Sequence, residues 1–141
     1  PNTAETCNTY NMLRLTKDLM GWNEDSSLGD FYERALYNHI LASQDPETGM
    51  MMYFLSTKPG HFKVYSTPFE SMWCCTGTGM ENPGRYTEAI YFHSDDTLWV
   101  NLYMASQLNS LDYKGIVSFL SQLFSSKERH FHNLFYVVFL Y

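Results

Sequence analysis

The stretch Ala4-Glu5-Thr6-Cys7-Asn8-Thr9-Tyr10-Asn11-Met12-Leu13-Arg14-Leu15-Thr16-Lys17-Asp18-Leu19 sets the class of fold to expect. Ala4, Cys7, Asn11, Leu15 and Leu19 recur every three or four positions, the spacing of one face of an α-helix. Asn2 and Thr3 stand where N-caps belong, and Gly21 is placed to end the helix before the polar connector Asn23-Glu24-Asp25-Ser26-Ser27. A second amphipathic run extends from about Ser27 to Ser43. Phe31, Ala35, Leu36, His39 and Ile40 form its apolar stripe, with Asp30, Glu33 and Arg34 on the wetter side. Two helices joined by so short a loop predict an antiparallel pair.

Beyond them the chain is punctuated by turn chemistry. Asp45-Pro46-Glu47-Thr48-Gly49 and Lys58-Pro59-Gly60-His61 each combine a Pro that presets φ with a Gly that accepts positive φ. Met50 to Leu55 between them reads as a short strand. Trp73-Cys74-Cys75-Thr76-Gly77-Thr78-Gly79 reads as a compact loop, its glycines allowing a tight turn, followed by a helical piece from about Met80 to Glu88 that Pro83 and Gly84 weaken. The period then changes to two. Ile90-Tyr91-Phe92-His93 and Thr97-Leu98-Trp99-Val100-Asn101-Leu102-Tyr103 flank Ser94-Asp95-Asp96, a β-hairpin pattern. The expected organisation is a mainly α region over 1–88, a hairpin over 89–109, and an atypical tail over 110–141. Leu111 to Tyr141 shows neither strand alternation nor a clean helical stripe, which raises the question of non-native sequence.

The composition is that of an aromatic-rich globular sequence: 45% of residues are hydrophobic, 17% aromatic and 17% charged. Disorder is excluded by that hydrophobicity. A net charge of −6 without a basic stripe argues against a nucleic-acid surface. The longest uncharged apolar run, Leu134 to Tyr141, falls far short of the roughly 20 residues a membrane span needs. With three cysteines the chain cannot close all of them into internal disulfides, so thiols or metal ligands are expected, in a reducing compartment such as the cytoplasm or protected by a metal. The start at Pro1 without an initiator Met suggests a piece of a longer gene product.

Glu5, Cys7, Cys74 and Cys75 are the residues that could carry chemistry. One carboxylate and three sulfurs suit tetrahedral Zn²⁺. An adjacent Cys pair is by itself a weak zinc signal, and buried structural cysteines are the plain alternative. Glu5 and Cys7, about 200° apart around a helix, can meet at one point only if the helix begins beside them. If a metal is bound, three thiolates and a carboxylate exceed its charge, leaving one electron-rich sulfur as a nucleophile.

Ala4 to Leu13, Tyr32-Glu33-Arg34-Ala35-Leu36-Tyr37-Asn38 and Trp73 to Gly79, in this order, resemble the β-L-arabinofuranosidase family, glycoside hydrolase family 127. Ile90 to His93 and Leu98-Trp99-Val100-Asn101-Leu102 resemble that family's exit from its helical domain, so the likeness covers about Asn2 to Asn109. It implies the C-terminal part of an (α/α)6 barrel followed by the start of a β-sandwich. It also implies a retaining glycosidase acting on L-arabinofuranosides, with Glu5, Cys7, Cys74 and Cys75 on Zn²⁺, Cys74 as nucleophile, and Tyr53 contacting substrate. Trp73, read from its aromatic ring alone, could stack on a sugar and is the other candidate substrate contact. The family's acid/base glutamate lies upstream of Pro1, which predicts that the chain alone is inactive.

Other residues are read more plainly. Glu70 and Glu81 could replace the missing acid but have no motif behind them. His61 or His93 could serve a cysteine hydrolase, yet Cys75-Thr76-Gly77 lacks the known signatures. His130 and His132 are incidental, and Phe54, Tyr65 and Phe69 read as core aromatics. Gly77 and Gly79 lack the Lys-Ser/Thr of a phosphate loop. Two other readings stay open: a non-catalytic zinc-stabilised helical module, and a helical interaction fragment with ordinary thiols.

Overall fold

A computed structural model describes residues 3–23, 25–95, 97–106 and 136–139. The chain divides into two units, Pro1–Glu88 and Ala89–Tyr141. The described structure is mainly helical with a few short strands.

In the first unit β1 (Thr3–Glu5) leads directly into α1 (Thr6–Trp22). This corrects the expected start of the helix: Asn2 and Thr3 are not its caps. Thr3 pairs instead with Ser56, Ala4 with Leu55 and Glu5 with Phe54, antiparallel, in β2 (Phe54–Ser56). The helix begins where that pairing stops, from an extended Glu5 with φ −82° and ψ 132°. Long-range backbone pairing has overridden a local capping preference.

The buried stripe of α1 is turned from the expected one. It starts from Thr6 and Cys7 and steps by three through Tyr10, Leu13 and Thr16. Asn11 is exposed, and so is Leu15 at 49%. The large Tyr10 and Leu13 side chains set the seam, and buried Thr16 is satisfied by donating to Met12 O at 2.7 Å.

Asp25 Oδ1 accepts from Ser27 N at 2.9 Å and opens α2 (Ser26–Ala35), which continues as a π-helical turn, Leu36–Ile40, and a 3-10 turn, Leu41–Ser43. Leu36, His39 and Ile40 are buried as their spacing predicts, but Tyr32 takes the inward place expected for Phe31, which is 41% exposed. The short connector joins the near ends of α1 and α2, while His39 Nδ1 meets Thr9 Oγ1 at 2.7 Å at the far ends. The two helices therefore run antiparallel.

Gly49 and Gly60 take φ of 75° and 80°, so both turns form with glycine where positive φ is required. Between them only Phe54–Ser56 is regular strand. Met51 and Met52, both buried, make isolated bridges to Gln44 and Tyr65.

The second correction concerns Cys74. Trp73 to Gly79 is not a loop, because α3 runs Cys74–Arg85 with Pro83 inside it. Trp73, which has no capping oxygen, precedes the helix in extended conformation, and Thr76 Oγ1 donates to Ser71 O at 3.0 Å across the entry. Neither Gly77 nor Gly79 has positive φ. Gly79 instead permits a close approach: a Cβ there would lie 2.4 Å from Met51 Cγ.

In the second unit β3 (Tyr91–His93) and β4 (Thr97–Val100) form the expected antiparallel hairpin, with Tyr91 opposite Val100 and His93 opposite Leu98. Ser94 N donates to Thr97 O at 2.9 Å across the turn. The tail holds a strand that its pattern did not announce: β5 (Tyr136–Phe139) pairs antiparallel with β4, Val100 opposite Tyr136. The remainder of 107–135, with His130 and His132, lies outside the described residues. Among those described, no helix is long and apolar enough to cross a membrane.

Candidate metal and nucleophile site

Two chain junctions build the site. At the first, β1 hands over to α1 between Glu5 and Thr6, placing Glu5 at the strand end and Cys7 in the first helical turn. Thr6, fully buried, anchors the junction: its hydroxyl contacts Met52 O at 2.8 Å and Tyr53 O at 3.0 Å, and its N–H donates to Tyr53 O at 3.0 Å. At the second junction Cys74 and Cys75 are the first two residues of α3. Three sulfurs thus stand in the first turns of two helices, at the ends where a helix leaves backbone N–H groups unpaired.

The ligand atoms of Glu5, Cys7, Cys74 and Cys75 all lie within 4.8 Å of one another. Glu5 Oε1 is 3.9 Å from Cys74 Sγ and 4.0 Å from Cys75 Sγ. Ligands at zinc–sulfur and zinc–oxygen bond lengths on a tetrahedron are separated by about 3.5–3.8 Å. The donors fit such a centre with small inward movements, and the cluster could hold a metal ion. Cys75 is fully buried and Cys7 nearly so, whereas Cys74 is exposed.

The thiols differ electrostatically as well. The Tyr53 hydroxyl, 3.7 Å from Cys74 Sγ, holds the Cys74 thiol below its ordinary value, with a smaller contribution from Cys7. The same contact pushes Tyr53 up to about 12. Burial pushes Cys75 up to about 12. Cys75 is therefore a neutral thiol near pH 7 unless a cation offsets its charge, and a coordinated metal ion is such a cation.

Beside the exposed sulfur stands an aromatic wall. Tyr53 meets Trp73 edge-on, with centroids 5.9 Å apart at 64°, and Phe54 at 4.5 Å and 36°. Trp73 is half-buried and Phe54 is 51% exposed. The other carboxylates and histidines have other settings. Glu81 accepts from the Tyr10 hydroxyl and lies 3.8 Å from Arg85 Nε, Glu70 is exposed, and His61 Nδ1 is 2.7 Å from Ser56 Oγ. His93 belongs to β3 in the second unit. Phe69, expected in a core, is 93% exposed.

Two residues escaped the sequence reading. Thr6 anchors the Tyr53 backbone, and Thr78 Oγ1 lies 3.3 Å from Cys7 Sγ. Thr78 follows Cys74 by four positions and Cys75 by three. That helical spacing becomes a signal only once α3 is known to start at Cys74.

A search of curated proteins finds no match to the chain. The family model described as Beta-L-arabinofuranosidase, GH127 catalytic domain, matches residues 1–88, the stretch that carries all four donors. That match spans more than half of the 141 residues, and the chain belongs to the β-L-arabinofuranosidase family of glycoside hydrolases, through its catalytic domain.

Proposed function

We propose that the chain is part of a retaining glycoside hydrolase that cleaves L-arabinofuranosides with Cys74 as its nucleophile. Residues 1–88 would be the C-terminal part of an (α/α)6 barrel, and 89–109 the entry to a β-sandwich. Glu5, Cys7, Cys74 and Cys75 would hold Zn²⁺. The observation that carries this reading is the asymmetry of the four donors. They converge from two helix starts, yet Cys74 alone among the sulfurs is exposed, beside an aromatic wall.

A bound zinc ion would supply Lewis-acid stabilisation of thiolate charge, both before attack and when sulfur departs. The chain's own residues supply the nucleophile and its surroundings. Cys74 Sγ attacks the anomeric carbon to give a thioglycosyl intermediate, and a carboxyl group from outside these residues protonates the leaving oxygen and then activates water. In retaining glycosidases the two groups stand about 5–5.5 Å apart. The Tyr53 hydroxyl, 3.7 Å from the Cys74 sulfur, can donate to that sulfur once it is a thiolate; with Trp73, Tyr53 also offers ring faces and edges for the sugar's C–H surface. A reducing compartment, the cytoplasm, suits three free thiols.

The test is zinc per chain by elemental analysis of the 141-residue protein and of C74S and C75S, with labelling by an electrophile of L-arabinofuranose shape. About one zinc per chain, depleted in both variants, with label on Cys74, supports the enzyme. Zinc without label on Cys74 would favour the non-catalytic zinc module. Folded protein without zinc would overturn both.

A further inference from the structure

Resting on the zinc-binding reading above, we propose that Thr78 is a positioning residue for the metal centre, its hydroxyl donating to the Cys7 thiolate. Thr78 Oγ1 lies 3.3 Å from Cys7 Sγ and 3.4 Å from Cys75 O. A helical threonine ordinarily returns its proton to the carbonyl a turn earlier, and Thr16 does so to Met12 O at 2.7 Å. Thr78 has the same option toward Cys75 O, but at 3.4 Å that contact is long for O–H···O. The distance to sulfur, a larger atom, is a normal one. A thiolate and a carbonyl both only accept, so the single hydroxyl proton must choose, and the geometry favours sulfur.

Charge supplies the reason for such a donor. Three thiolates and a carboxylate carry four negative charges against the two positive charges of zinc. The excess needs neutral donors that face the sulfurs. Cys74 has the Tyr53 hydroxyl at 3.7 Å, and Cys7, buried between α1 and α3, has Thr78. Donors in this outer position orient ligands and tune the metal, and their loss typically weakens metal affinity about 10–100-fold.

The experiment uses the 141-residue chain loaded with Co²⁺, whose sulfur-to-metal charge-transfer band reports thiolate donation. Zinc affinity is measured by competition with a chelating dye. T78V, nearly isosteric, should bind zinc at least about tenfold more weakly and shift the charge-transfer band, whereas T78S should restore both. Equal affinity and an unchanged band in T78V would overturn the role of Thr78. So would a T78S variant as weak as T78V, since the methyl group rather than the hydroxyl would then matter. If T78V loses its helical circular dichroism, T78A against T78S makes the same comparison, and equal affinities in that pair overturn the proposal. A wild-type chain that binds neither metal overturns the zinc reading along with it.

Discussion

The Tyr53 hydroxyl lies 3.7 Å from the Cys74 sulfur, although 21 positions separate them in the chain. The position of Tyr53 follows from the β1–β2 pairing and from Thr6, which binds the Tyr53 carbonyl through both its N–H and its hydroxyl. The sulfur's position follows from α3 beginning at Cys74. Two unrelated pieces of backbone thus bring one hydroxyl to one thiol.

This contact makes a reactivity prediction for the zinc-free, reduced protein. The Cys74 thiol is held below its ordinary value of 9.0, chiefly by Tyr53, so its thiolate fraction at neutral pH exceeds that of a free cysteine. Iodoacetamide should alkylate Cys74 before Cys75, whose thiol burial keeps neutral to about pH 12. Removing the hydroxyl in Y53F should move the pH midpoint of Cys74 alkylation upward. Peptide mass mapping across a pH series reads this directly, and an unmoved midpoint would remove Tyr53 from the account.

Gly77 and Gly79, both within α3, should respond oppositely to alanine. A Cβ on Gly77 meets nothing within 4 Å, so G77A should stabilise by about 0.5–1 kcal/mol through lower unfolded-state entropy. On Gly79 the added carbon would fall 2.4 Å from Met51 Cγ and 3.1 Å from its Cβ. Met51 is buried and the clash lies near the root of its side chain, so a rotamer change at the tip cannot relieve it. G79A should destabilise by about 1–3 kcal/mol, in the range of core overpacking. Urea unfolding midpoints of the two variants should bracket the wild type.

The same glycines show what the sequence could and could not tell. Leu36, His39 and Ile40 were legible because a helix repeats its buried face every three or four residues. The start of α3 was not legible, since Gly77, Gly79 and Pro83 all argue locally against a helix and only its tertiary packing, on α1 and Met51, answers them. The start of α1 was hidden for a related reason: β1 finds its partner in Phe54–Ser56, some fifty positions on. For the candidate site, residue chemistry marked one carboxylate and three sulfurs as metal-compatible. Nothing in their spacing could reveal that Cys7 stands beside α3, because that proximity exists only after both helix starts are fixed.

Thr6 tests how far the site depends on that anchoring. Its side chain is fully buried and its hydroxyl donates to Met52 O at 2.8 Å, with the Tyr53 carbonyl, already held by the Thr6 N–H, 3.0 Å away. T6V keeps the shape and removes the donor, which should cost about 1–3 kcal/mol because the Met52 carbonyl loses a buried partner. The strand pairing and the Thr6 N–H bond remain, so the fold should persist with a lowered urea midpoint. Tyr53 should then be held less firmly, and iodoacetamide labelling of Cys74 near neutral pH should slow relative to wild type.

His39 gives the first unit a pH dependence with a defined sign. Burial, opposed more weakly by the nearby Ala4 backbone, lowers its folded value below the ordinary 6.5. Its Nδ1 is engaged with Thr9 Oγ1 at 2.7 Å, while its buried Nε2 has no hydrogen-bond partner among the described residues, an arrangement that suits a neutral ring. The unfolded chain therefore binds a proton more readily than the folded one in the window beneath 6.5. The stabilising contribution is complete above 6.5 and is lost as pH falls through that window toward the folded value. H39N keeps a polar nitrogen near Thr9 but cannot titrate. Measured on zinc-free protein, the fall in Tm between pH 7.5 and pH 5.5 should be larger in wild type than in H39N. Parallel Tm profiles would mean that His39 binds a proton equally readily in the folded and unfolded chain, and a smaller fall in wild type than in H39N that the folded ring holds its proton; either would reverse its assignment as a buried neutral ring.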